Sequence, residues 1–464
     1  MRPGRFFGKL SFLRTQQDKA PGLPFAEVLA ESRIQATLDE LSVVFRERIY
    51  SPCVTLWVFL SQVLAADPSC RQAVARLLAF RVAKGQSACS TETGSYCEAR
   101  QRLPEELLQR LVRQTGADLR QEVPDAWKWR GRAVQMVDGT TVSMPDTADN
   151  TRAFGKPGNQ HGPTSFPVAR LVVLICWATG AIWDLTLGPY RGKRTGEQTL
   201  FRSLRSALAC GDVLLGDRFY GNFADIALLQ AQGVDAVFRL NATRRVDFRR
   251  GQQLGREDHL VTWDKPRKCP AGLTAEEFAA LPDQLTVREV RIRVTTPGFR
   301  TRTLVLVTTL TDPDEITKDD LADLFRQRWQ AELDLRSIKS VMHLDVLRCQ
   351  TAEMVRKEIW AHALAYNLLR SLMCSAAEQH GCCVRAISFK ASQQLLQAFH
   401  HQLLLALPTA LEPLCRTLIQ ALGTHRVGNR PDRYEPRKRK REPKPYPPMQ
   451  LTRQDERKLC LKHR

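Results

Sequence analysis

VLLGDRFYGNFADIALLQAQGVDAVFRL, residues 213–240, decides the fold class. Val213 to Gly216 is a short apolar run closed by Asp217, which reads as a buried strand. Residues 223–233 place apolar side chains at helical spacing and stop at Gly233, and 235–240 is a second apolar run, so the order is strand, helix, strand. Upstream, AVQMVDG (133–139), VARLVVLICWA (168–178) and AIWDLTLG (181–188) predict three more strands. The last two are joined across Thr179-Gly180 as a hairpin, and EQTLFRSLRSALACG (197–211) supplies the helix that follows. Three strands, then helix, strand, helix, strand, describe an α/β core with mixed strand directions.

Beyond Leu240 the pattern is interrupted by polar, basic sequence and then by VREVRIRV (287–294) and RTLVLVTTL (302–310), an expected β-rich insertion over 241–310. Residues 25–123 carry only helical periodicity. Long helices are expected from about Lys318 to Met342 and Met354 to Ala377, with a third helical stretch over roughly 387–422. The expected organisation is a helical N-terminal region (1–125), an α/β domain (126–350), a helical C-terminal region (351–425) and a Pro-rich basic tail (426–464).

Charge narrows the function. The 464 residues hold 69 Lys and Arg against 49 Asp and Glu, a formal +20. An excess of that size calls for a polyanionic partner, nucleic acid before a membrane surface. No stretch has the 18 to 20 apolar residues of a spanning helix and the first residues lack a signal-peptide pattern, so a cytoplasmic protein is expected. The 13 cysteines are scattered without a CxxC pair, which indicates neither a disulfide framework nor a zinc site. Residues 94–104, GSYCEARQRLP, suit a short helix carrying Arg100 and Arg102 that either enters a DNA groove or forms a solvated basic face.

Asp138 and Asp217 each close a short apolar strand, where α/β sheets place their sites. An Asp-Gly at a strand end is ordinarily just a turn, but two such carboxylates in one core point to shared chemistry. On the helix around LFRQRWQAELDLRSIKS, Phe325, Arg328, Glu332 and Lys339 are spaced by three, four and seven residues, so a uniform helix projects all four from one face. A surface ion pair explains Arg328 and Glu332 in isolation. Following a core that already bears two aspartates, Glu332 adds the third carboxylate a metal-ion phosphodiester site needs.

The Phe325-x2-Arg328-x3-Glu332-x6-Lys339 series resembles the tyrosine, arginine, glutamate, lysine signature of insertion sequence 4 family transposases, members of the DDE group. VDGTT at Asp138 and LLGDRFYGNF at Asp217 are similar to that family's two aspartate motifs, in the same order. The resemblance covers about residues 90–375 and departs at Phe325, which lacks the family's tyrosine hydroxyl but keeps an aromatic surface. It implies a ribonuclease H-like mixed-sheet catalytic core with a β-rich insertion, flanked by helical N- and C-terminal regions. It also implies Asp138, Asp217 and Glu332 as catalytic and metal-binding residues. Two Mg²⁺ ions, with Mn²⁺ tolerated, fit an all-oxygen ligand set.

Arg328 and Lys339 are then expected to grip phosphates. Trp263 resembles the family's tryptophan that stacks near a flipped base; the alternative is a half-buried structural tryptophan. His259 nearby reads as a solvated loop residue. The implied partners are double-stranded DNA, at terminal inverted repeats and at target sites, and a second copy of the chain in the paired-end complex. Two other readings stay open, a nuclease of the same fold that cleaves without joining, and a silent DNA-binding protein or repressor derived from a transposase.

Overall fold

The computed structural model describes residues 25 and 28–428, apart from 46–47, 160–161, 164–165, 193–194, 242 and 294–302, together with 451 and 453–462. The basic run Arg437 to Arg441, Arg194 and the first residues of the chain lie outside the described residues.

Five helices come first, α1 (Glu31–Glu40), α2 (Pro52–Leu64), α3 (Cys70–Ala83), α4 (Gly94–Arg102) and α5 (Glu105–Gln121). Next are β1 (Val134–Ser143), α6 (Ala148–Phe154), the two-residue strands β2 (Gly158–Asn159) and β3 (Gly162–Pro163), β4 (Val168–Cys176) and β5 (Ile182–Pro189). There follow α7 (Glu197–Leu204), β6 (Val213–Gly216), α8 (Phe223–Ala231), β7 (Asp235–Arg239), β8 (Gln252–Gly255), β9 (Asp258–Asp264) and α9 (Ala275–Ala279). β10 (Gln284–Arg293), β11 (Thr303–Thr308), α10 (Lys318–Gln327) and α11 (Trp329–Arg336) lead to α12 (Ala352–Gln379), α13 (Phe389–Leu405), α14 (Pro408–Thr424) and α15 (Arg453–Lys462). No helix among the described residues is long and apolar enough to cross a membrane.

The chain divides into two compact units, one of residues 1–127, 178–183 and 334–427, the other of 128–177, 184–333 and 428–464. The first unit is helical. α12 is its centre, packed by α2, α5, α13 and α14 and buried on every side along most of its length. Such a helix reads as apolar all round rather than as a stripe. α5 instead buries a single face, through Leu107, Leu108, Leu111, Val112, Thr115 and Leu119. Inside this unit the buried carboxylate of Asp334 pairs with Arg370 and, at 2.8 Å, with Arg385, while Arg370 also lies over the rings of Tyr366 and Phe389.

The second unit is built on a mixed sheet ordered β5-β4-β1-β6-β7-β11-β10-β9-β8. β1 runs antiparallel to β4 and parallel to β6, and β6 is parallel to β7. This is the α/β core with mixed strand directions that the strand and helix order predicts. Local chemistry sets the crossovers. Asn222 caps α8 by accepting the Asp225 N–H at 3.0 Å, and Gly233, at φ +71°, ends the turn after it as few other residues can. Thr317 and Asp320 form a reciprocal capping box at the start of α10.

Four details depart from expectation. The stretch expected as an insertion adds strands to the same sheet: β11 pairs antiparallel with β7, so β7 gains a hydrogen-bonding partner on its outer side. β8, at the far edge, is exposed, four residues long and shifted in register against β9. The single helix expected over 318–342 is α10 and α11, separated at Arg328, followed by a π turn over Ser337–Val341. The helical stretch over 387–422 comprises two helices, parted at Ala406 and Leu407, with Pro408 in the first turn of the second.

Asp334→Ala would remove the counter-charge held by buried Arg370. It is expected to cost about 3–5 kcal/mol, read as a lowered urea midpoint of the helical unit, with Asp334→Asn costing less.

Candidate active site

Parallel pairing between β1 and β6 runs from Val134 opposite Val213 to Met136 opposite Leu215. Carried two residues on, the same register sets Asp138 opposite Asp217, on strands that lie about 4.8 Å apart. β1 does not end at Asp138 as expected; it stays paired with β4 through Ser143. On its other side β6 stops at Gly216, so no strand flanks β1 there at the level of Asp138. Each aspartate also accepts a local backbone N–H, Asp138 Oδ1 from Gly139 at 2.9 Å and Asp217 Oδ1 from Phe219 at 2.7 Å.

Glu332, on α11, acts electrostatically on Asp138, as do Asp217 and Arg328. Burial pushes the Asp138 carboxyl up to about 6; Arg328 and the Gly139 N–H oppose the rise, and Glu332 and Asp217 add to it. Glu332 itself accepts a hydrogen bond from Arg328 Nη2 at 2.7 Å. Among the described residues no three acidic, histidine or cysteine side chains stand close enough to chelate one ion. The three carboxylates share a neighbourhood, and Glu332 takes the guanidinium beside it. As a donor set they are all carboxylate oxygen, which suits a hard divalent cation.

The interruption at Arg328 leaves it within helical dihedrals, and its guanidinium sits 5.9 Å from the Phe325 ring centroid. Phe325, Arg328 and Glu332 thus cluster. Lys339 lies on the π turn, so the arithmetic of a uniform α-helix ends at Arg336, short of it.

Three residues expected to contact DNA are buried. Trp263 is 1% exposed, its indole N–H donates to Glu289 Oε1 at 2.9 Å, and the Arg244 guanidinium covers the ring at 3.7 Å. It is neither half-buried nor presented to a base. Phe325 is 7% exposed, so it offers no free stacking face. Arg100 is 8% exposed, lies over the rings of Phe59 and Tyr96, and donates to Gln62 Oε1 at 3.4 Å. Arg102, one turn end away, is exposed beside Glu98. His259 is likewise no solvated loop residue: it is buried on β9, with Nε2 3.1 Å from Glu289 Oε2 and Nδ1 2.6 Å from the Arg250 carbonyl. A single sequence hides this network because Glu289 lies on β10, opposite His259 only through strand pairing. The large apolar side chains that are exposed close in sequence to the acidic residues are Phe219, Trp329 and Leu333.

A family model described as a transposase DDE domain matches residues 129–368. Transposase InsG for insertion sequence element IS4, from Escherichia coli (strain K12), is 26% identical over 353 residues, covering 75% of this chain and 77% of that protein. The Escherichia coli transposase for insertion sequence element IS421 is 38% identical over 69 residues, which cover 15% of this chain and 19% of its own length. A cryo-EM structure of a piggyBac transposase synaptic complex with hairpin DNA superposes with a TM-score of 0.43 at 12% identity, covering 87% of this chain and 85% of that one.

Trp263→Phe removes the donor to Glu289 while keeping most of the packing. It is expected to cost about 1–3 kcal/mol in urea unfolding and to leave affinity for DNA unchanged in a gel shift, the reverse of what a base-stacking residue gives.

Proposed function

The chain belongs to the transposase DDE domain family, and from that premise we propose that it is an insertion-sequence transposase that binds terminal inverted repeats, cuts DNA at the element ends and joins the 3′ ends to target DNA. The observation that carries the reading is the parallel register of β1 and β6, which carried past its last pair sets Asp138 opposite Asp217, with Glu332 in electrostatic reach of the first. Enzymes of this family use a divalent metal. Here Asp138, Asp217 and Glu332 would hold two Mg²⁺ ions, with Mn²⁺ as a substitute. Bound there, the metal neutralises the phosphodiester and lowers the pKa of the attacking water or 3′-hydroxyl.

The chain's own residues supply the rest. Arg328 pairs with Glu332 and, in a forked geometry, can pass one N–H to a phosphate while keeping the other on the carboxylate. Lys339 and Arg102 contribute point charges to the backbone of the duplex. Phe219, 50% exposed, and Trp329, 47% exposed, take over the stacking role that the buried Phe325 and Trp263 do not fill. Two copies acting on paired ends, associated with the nucleoid, complete the reading.

In an assay with labelled end DNA and Mg²⁺, Glu332→Gln and Asp217→Asn are each expected to lose several kcal/mol of transition-state stabilisation, about 10²-fold or more in cleavage rate. Both should still shift end-containing DNA on a gel. Cleavage at the parent rate by either variant would remove that residue from the site, and cleavage without strand transfer of precut ends would mark a nuclease. Affinity for end DNA should fall steeply with salt, the log-log slope growing by about 0.9 for each phosphate contacted. A slope near zero would contradict a backbone-tracking basic surface.

A further inference from the structure

α7 meets the chain that runs from Asp217 into α8 along one of its faces. Gln198, Phe201 and Arg202 stand at positions i, i+3 and i+4 of this helix and so share that face. Each touches a successive part of the chain opposite. Gln198 Nε2 donates to the Phe219 carbonyl at 2.6 Å, the Phe201 ring meets Tyr220 edge-on with centroids 5.1 Å apart, and Arg202 Nε donates to Asp225 Oδ1 at 2.6 Å. All four residues of the last two contacts are buried. They fasten α7 to the far end of the turn independently of Gln198.

The end of the turn next to the acidic side chain is held differently. Arg218 and Phe219 are exposed, and the bonds made there by the chain itself are short-range: the Phe219 N–H donates to Asp217 Oδ1 at 2.7 Å and the Tyr220 N–H to the Asp217 carbonyl at 3.3 Å. Among the described residues, Gln198 is the one side chain of another element that hydrogen-bonds residues 217–219. Phe219 is thus gripped from two sides. Its N–H aims the Asp217 carboxylate, and its carbonyl is tied to α7.

We propose that Gln198 is a positioning residue for Asp217: by holding the Phe219 carbonyl it fixes the turn whose N–H orients that carboxylate. This rests on the reading of Asp217 as a metal ligand. Groups that hydrogen-bond a ligating carboxylate set its direction and so its affinity for the ion. An exposed turn that loses its tie to a neighbouring helix opens more readily, and the carboxylate hung on it spends less time in the binding direction.

The test uses the full-length, metal-free chain without DNA. It reads hydrogen exchange of the peptide spanning residues 217–222 by mass spectrometry, and Mn²⁺ affinity by the electron paramagnetic resonance of the free ion, both well below the melting midpoint of every variant. Gln198→Met keeps the length of the side chain and removes the donor. Exchange should quicken about 2- to 10-fold and Mn²⁺ affinity should fall about 10-fold, with the metal-free midpoint unchanged because Phe201 and Arg202 still hold the helix. Parent-like affinity in Gln198→Met overturns the proposal, as does exchange at the parent rate. If that variant melts early without metal, Gln198→Asn decides, since it keeps an amide on α7 and loses only reach; parent-like affinity there overturns the proposal equally. Asp217→Asn separates the two levels of inference. If it binds Mn²⁺ like the parent, the metal reading of Asp217 fails; if it loses binding while Gln198→Met keeps it, only the positioning by Gln198 fails.

Discussion

Three hydrogen-bonded residue pairs between β1 and β6, Val134 with Val213 through Met136 with Leu215, set the register on which the acidic site depends. Side chains alternate faces along a strand, so a slip of one residue would send Asp217 to the opposite side of the sheet from Asp138. Packing resists the slip. Both strands are buried along this ladder, and Gly216 has no room for a side chain, because a Cβ there would meet Val137 at 2.9 Å and the Phe238 ring at 3.0 Å. The aspartates are therefore fixed by apolar contacts that have no part in the chemistry themselves.

Gathering carboxylates is electrostatically costly: Glu332 and Asp217 add to the rise that burial imposes on the Asp138 carboxyl. The surroundings limit the cost in two ways. Arg328 and the backbone N–H groups of Gly139 and Phe219 give the anions local partners. The supporting elements are also tied to one another: buried Arg202 of α7 donates to Asp225 of α8 at 2.6 Å and to the Ala271 carbonyl at 2.6 Å. Sites on mutually braced helices and strands hold their geometry better than sites on loops.

Much of this was legible in residues alone. The apolar runs ending at Asp138 and Asp217, the helix stop at Gly233 and the hairpin across Thr179-Gly180 all carry their periodicity openly, and the strands and helices lie where it puts them. What stayed hidden depends on partners distant in the chain. Trp263 and His259 look like surface residues among polar neighbours until strand pairing brings Glu289 to them. Arg100 looks like a solvent-facing arginine until helix packing slides Phe59 and Tyr96 beneath it. The break at Arg328 and the π turn after Arg336 have no marker such as proline or glycine inside the helix.

The four added strands also move the sheet's open edge. Without them β7, whose three central residues are apolar and buried, would present unpaired backbone groups to solvent. With them the edge is β8, which is four residues long, exposed, glutamine- and glycine-containing and irregular in register against β9. Short, polar, kinked edges discourage a neighbouring chain from continuing the ladder. A strand built to be a poor template for a tenth protects a strongly apolar sheet from aggregating edge to edge while newly made molecules are still crowded together.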